Sequence, residues 1–96
     1  MTFRSEDLRR AVASLECMHC GVEGRTQAAH SNQQRDGKGM GIKASDAAIA
    51  ALCGACHAEI DQGRDMSKAE RIEAWESAHR KTMRALIERG ILKVNA

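Results

Sequence analysis

Large apolar side chains are scarce in this chain. Its 96 residues include one tryptophan, one phenylalanine and no tyrosine, and 43% are hydrophobic. A core so poor in aromatics is marginal at this size, so a metal staple is physically reasonable. No segment approaches the run of about 20 apolar residues that a membrane-spanning helix needs. The start, MTFRSEDLRR, lacks the apolar stretch of a signal peptide. There is no internal repeat and no low-complexity tract. The formal net charge of +2 admits a polyanionic partner without arguing for one. These absences describe a single domain, 1–96, expected in the cytoplasm.

Against that background the four cysteines stand out. They form two C-x-x-C pairs, Cys17-Met18-His19-Cys20 and Cys53-Gly54-Ala55-Cys56, and His57 follows the second pair directly. Two thiols at this spacing grip one ion from a tight knuckle, and two knuckles complete a tetrahedral thiolate shell for zinc. One pair alone leaves a redox motif open, whereas two favour a closed structural site over disulfides. Zinc held by reduced thiols also fits a cytosolic protein. His19, inside the first knuckle, is a spare ligand that four thiolates do not need.

The spacing of apolar residues predicts a short helix over 5–14, with Leu8, Val12 and Leu15 on one stripe and Arg4, Arg9 and Arg10 on a solvated basic face. A short strand is expected over 25–30, ending at His30. A polar loop with Gly37, Gly39 and Gly41 covers 31–45, a length that in compact domains is usually functional or mobile. A second strand is expected over 46–52, running into Cys53 and then into a helix that stops near Gly63. Ser67 and Glu70 form a capping-box sequence. Beyond it Ile72, Trp75, His79, Met83, Leu86 and Ile87 keep a helical stripe up to the stop at Gly90. His79, Met83 and Trp75 are read as packed core, and Arg80, Lys81, Arg84 and Arg89 as a solvated face.

Knuckle, hairpin, knuckle, helix is the order of a treble-clef zinc finger. With His30 closing the first strand and the run Cys53-x-x-Cys56-His57-x-x-x-Asp61, residues 17–61 resemble the HNH (ββα-metal) endonucleases. The pieces AAH, GMG, SD and CGACHAEID are similar to small phage and prophage nucleases related to the RecA-dependent nuclease Ref. The fold implied is a small α+β zinc-stabilised domain. Its treble-clef/ββα-metal core occupies 15–63, with a short N-terminal helix and a long C-terminal helix over 67–90. The activity implied is metal-dependent hydrolysis of DNA phosphodiesters in a bacterial host cell, in a recombination setting, with DNA and a RecA filament as partners.

Phosphodiester hydrolysis needs an activated water and positive charge where the phosphate gains negative charge. The resemblance assigns His30 as general base; its spacing alone also fits a surface histidine at a strand end. His57 and Asp61, four apart on a helix, can share one ion, or His57 caps the zinc site and Asp61 sits near a turn. Asp46 takes the place of the middle Asn of the HNH triplet, where it either orients the base or joins the metal shell; a plain turn aspartate is the other reading. Ala29 stands where many HNH enzymes carry a metal ligand, and Asp46 lies two residues farther from Cys53 than the commonest spacing. The remaining ligand set suits Mg2+ or Mn2+ better than a second zinc. Arg25, Arg35, Lys38 and Lys43 flank His30 and share their segment with a single acid, Asp36. They are expected to contact DNA phosphates without reading sequence. No aromatics are interleaved with them, which argues against a base-stacking surface for single strands. A non-catalytic zinc module that binds DNA or a protein is the alternative from a different functional class.

Overall fold

Ser5 starts the first element. In a computed structural model that describes residues 3–39 and 43–94 (Gln34 by its backbone alone), helix α1 spans Glu6–Ala13. Ser5 Oγ accepts from the Leu8 N–H, and Glu6 and Asp7 lie in the positively polarised first turn. The chain then turns through the first knuckle, where Gly21 N–H donates to Cys17 O at 2.9 Å. Gly21 has φ of +85°, a conformation that costs glycine little and other residues more.

Strand β1, Thr26–His30, pairs antiparallel with β2, Ile49–Cys53, in the register Thr26↔Cys53 to His30↔Ile49. Cys53 therefore ends β2 beside the start of β1, and it is also the N-cap of helix α2, Gly54–Gln62. Helix α3, Lys68–Glu88, opens on a complete capping box in which Ser67 Oγ accepts from Glu70 N–H and Glu70 returns a carboxylate to Ser67 N–H. The result is a small α+β fold of one two-stranded sheet and three α-helices among the described residues. No described helix is long and apolar enough to cross a membrane.

All five residues of β2 are buried because helices cover both faces of the strand. Ala50 and Leu52 pack with Cys17, Ala29, Ile60 and Trp75; Ile49 and Ala51 pack with Val12, Leu15, Ala85 and Leu86. Small residues here let the helices approach closely, which compensates for the shortage of large side chains. Three backbone groups of β2 that face away from β1 are also satisfied. Thr82 Oγ1 accepts from Ala51 N–H at 2.9 Å, His79 Nδ1 donates to Ile49 O at 2.7 Å, and Met18 N–H donates to Ala51 O at 2.8 Å. This edge is closed by a helix and the first knuckle instead of a third strand. His79 also stacks on Trp75, with ring centroids 5.0 Å apart.

Several expectations need correction. The second strand starts at Ile49, three residues later than expected, and Asp46 lies in the turn before it. The described residues of 31–45 include a 3-10 turn, Gln34–Asp36, and Ser31 Oγ donates to Asp36 Oδ2 while Ser45 N–H donates to Asp36 O. Met40 and Gly41 of the GMG piece lie outside the described residues. Ile87 is 58% exposed and leaves the α3 stripe, while Ala78, Thr82 and Ala85 join it. Arg89 is exposed, as expected of a solvated face, but both its terminal nitrogens grip the Glu16 carboxylate.

Thr82 is fully buried, and its hydroxyl also donates to Ala78 O. Thr82→Val keeps the shape and removes the acceptor, leaving the Ala51 N–H unpaired. We expect a loss of about 1–3 kcal/mol, read as a lower urea midpoint at unchanged slope, with Thr82→Ser retaining more stability than Thr82→Val.

Candidate metal centre and histidine cleft

The four cysteines meet at one point. Their sulfur atoms all lie within 4.8 Å of one another, none is in a disulfide, and Cys20 Sγ is 3.8 Å from Cys53 Sγ. Two sulfurs bound to one tetrahedral zinc at about 2.3 Å stand about 3.8 Å apart, so the cluster fits a structural metal such as zinc. Backbone N–H groups point at the sulfurs: those of His19 and Cys20 at Cys17 Sγ, and that of Cys56 at Cys53 Sγ. Burial pushes the Cys17 thiol up, but the backbone N–H groups of Cys20, Cys53 and His19 outweigh it and bring it down to about 6. Burial and the neighbouring thiols push Cys56 up, as expected where four sulfurs crowd one point. His19 is exposed and takes no part in the cluster.

The strand that leaves the first knuckle ends on His30, whose Nε2 is 2.7 Å from Asp46 Oδ1. Asp46 is fully buried and collects four donors. Oδ1 accepts from His30 and, at 3.2 Å, from Arg4 Nη1; Oδ2 accepts from Ser5 N–H at 2.7 Å and from Arg9 Nη1. Burial pushes this carboxyl up, but His30, the Ser5 amide and Arg9 hold it well below the usual carboxylate range. A carboxylate offers about four lone-pair sites, and all are used, so Asp46 has none for a metal. An ionised partner makes Nε2 the donor, which leaves the lone pair of His30 on Nδ1. Of the roles open to Asp46 in the sequence, the geometry retains orientation of His30.

His57 and Asp61 face each other one turn apart on α2, with Nε2 and Oδ2 at 3.2 Å and both side chains about one-third exposed. Ligands at right angles around an ion at about 2.1 Å are separated by about 3 Å, so this pair fits two neighbouring positions of a divalent-ion shell. Ala29, beside His30, is fully buried against Trp75 and Leu52, and its carbonyl accepts from Trp75 Nε1. It contributes to the core, not to an ion.

His30 and the His57–Asp61 pair open on one cleft of about 350 Å³, also lined by Arg9, Lys38 and Lys43, with Asp46 buried behind His30. Three cations against the one acid on this wall make the cleft suited to an anion. Of the expected cations, Lys38 and Lys43 are brought there. Arg25 precedes β1 at the end opposite His30 and does not line the cleft; Arg35 pairs instead with Glu76 on α3. Arg9 was placed on a solvated face by its position in α1, and its contact with Asp46, 37 residues away, left no local signature. A larger groove of about 530 Å³, floored by Ile60, Ile72 and Trp75, shares Asn32 and Asp61 with the cleft but includes neither His30 nor His57.

Cobalt(II) loading should give the absorption of a tetrahedral four-thiolate site with one ion per chain, unchanged in His19→Ala and lost in Cys53→Ser. Asp46→Asn should cost about 3 kcal/mol, the lower end for a broken buried pair, since Arg4 and Arg9 remain partly hydrated. The Asp46 contribution is complete above its unfolded pKa of about 3.9. It is lost as pH falls toward the lowered folded value. In denaturant titrations the gap between wild type and Asp46→Asn is therefore wide at neutral pH and narrows below about pH 4; thiol protonation is common to both proteins and cancels in the difference. Against models of protein families, curated proteins and solved structures, this chain finds no match.

Proposed function

We propose that the chain is a metal-dependent DNA endonuclease of the HNH type, built on a four-cysteine zinc treble clef in the ββα-metal arrangement. The observation that carries this reading is the opening of His30, held from behind by the buried Asp46, and of the His57–Asp61 pair on one cationic cleft. A histidine oriented by a buried carboxylate suits proton abstraction from water. Asp46 fixes the ring with Nε2–H donated inward, so Nδ1 is the atom that takes the proton, and the imidazolium formed is stabilised by the same carboxylate. His57 and Asp61 would hold a divalent ion, Mg2+ or Mn2+, which would supply positive charge against the phosphate and the leaving 3′ oxygen. Lys38, Lys43 and Arg9 hold the flanking phosphates, which gives binding without base readout.

The resemblance to Ref-related nucleases extends the proposal to a phage or prophage recombination setting and to DNA carrying a RecA filament. The ends expected are 5′-phosphate and 3′-hydroxyl.

Plasmid nicking with Mn2+ or Mg2+ tests the reading. His30→Ala should lose about 10²–10⁴-fold in rate, while Lys38→Ala and Lys43→Ala should each weaken DNA binding and lower the salt slope by about 1. Equal nicking by wild type and His30→Ala removes His30 from the mechanism. DNA binding with no nicking by wild type under any divalent ion identifies a non-catalytic zinc module.

A further inference from the structure

Gln27 has no role in the site as read from the sequence, yet it contacts the one histidine that follows the zinc cage. Its Oε1 lies 2.9 Å from His57 Nδ1. Gln27 sits on β1 one residue after Thr26, which pairs with Cys53, while His57 is on the first turn of α2 that Cys53 caps. The zinc knuckle thus fixes both partners of the contact. A Cβ on Gly54 would stand 3.5 Å from Gln27 Nε2, so the glutamine amide lies against the first residue of α2.

The hydrogen bond has a consequence for the other ring nitrogen. A carbonyl oxygen only accepts, so Oε1 makes Nδ1 the protonated nitrogen of a neutral His57. Nε2 then carries a lone pair, and 3.2 Å from it stands Asp61 Oδ2, which also only accepts. Two lone pairs face each other across that gap. Such a contact is unfavourable unless a proton or a metal ion lies between them. We propose that Gln27 is a positioning residue that holds His57 in its Nδ1–H tautomer, so that Nε2 and Asp61 Oδ2 are presented together to one divalent cation. This rests on the metal role given to His57 and Asp61 above. A neutral imidazole donor beside a single carboxylate, in a wall that also carries Lys38, Lys43 and Arg9, favours a nitrogen-accepting ion such as Mn2+ over Ca2+, which prefers an all-oxygen shell. Outer-shell partners of this kind set the tautomer and ring orientation of metal-binding histidines.

The test uses the full chain with its zinc retained, titrated with Mn2+ alone and followed by calorimetry and by the spin resonance of free Mn2+. Wild type should bind one Mn2+. Gln27→Leu, which keeps a strand-compatible side chain without the acceptor, should bind it about 10–100-fold more weakly, and Gln27→Glu, which restores an acceptor, should recover the affinity. Zinc content and melting temperature report that each variant is folded. Before Mn2+ is added, the ¹⁵N shifts of His57 should show the Nδ1–H tautomer in wild type and a shift toward Nε2–H in Gln27→Leu. Equal Mn2+ affinity in wild type and Gln27→Leu overturns the role of Gln27 and leaves the metal site standing. Absence of any Mn2+ binding by wild type overturns both. A wild-type His57 found as Nε2–H overturns the positioning role whatever the affinity.

Discussion

The convergence of four sulfurs is the constraint on which the rest of the molecule depends. Cys53 takes part in three structures at once: it ends β2, caps α2 and supplies a sulfur to the cluster. Cys17 ties the first knuckle to it across the fold, and the Met18 amide joins that knuckle to the backbone of β2. An ion bound there closes a long loop whose entropy the small aliphatic core is poorly equipped to offset alone. Because β1 begins and α2 starts beside the cluster, their positions relative to each other are set before any side chain of the cleft is considered.

A second knot, around Asp46, holds the opposite side. Four donors surround one buried carboxylate, two of them from arginines on or just before α1. Arg4 and Arg9 stay partly hydrated, but removing this carboxylate from water is costly and is offset only when every lone pair is used. Here every one is. The same arrangement docks the N-terminal helix, sets the ring of His30 and leaves a positive surplus at the cleft. Stability and chemistry are therefore coupled at this point: a change at Asp46 reaches the helix and the histidine together.

Much of the fold was legible because it follows from local rules. Ser5 and Ser67 cap the helices that follow them, the capping box closes through Glu70, and the knuckle glycine has positive φ. The less legible parts depend on distant partners. Periodicity placed Ile87 on the buried stripe, but the α3 face that meets the sheet is defined by Ala78, Thr82 and Ala85, whose small size gives little hydrophobic signal. Asp36 was counted as one charge diluting a basic loop, whereas it links both ends of that loop. Local sequence puts Arg35 among the phosphate contacts and Arg89 on a solvated face; each meets a carboxylate more than forty positions away.

By itself the sequence determined which residue types could do chemistry and which of them stand close along the chain, because C-x-x-C spacing and an i, i+4 His–Asp pair are short-range facts of chain geometry. Tertiary structure decided what those residues face. It placed Arg9 and Gln27 beside His30 and His57, buried Ala29 in the core, and filled the lone pairs of Asp46 with arginine instead of leaving them for an ion. The physical reason is that lone-pair direction, charge balance and ring tautomer depend on neighbours brought in from 30 to more than 40 residues away. No window of sequence contains them.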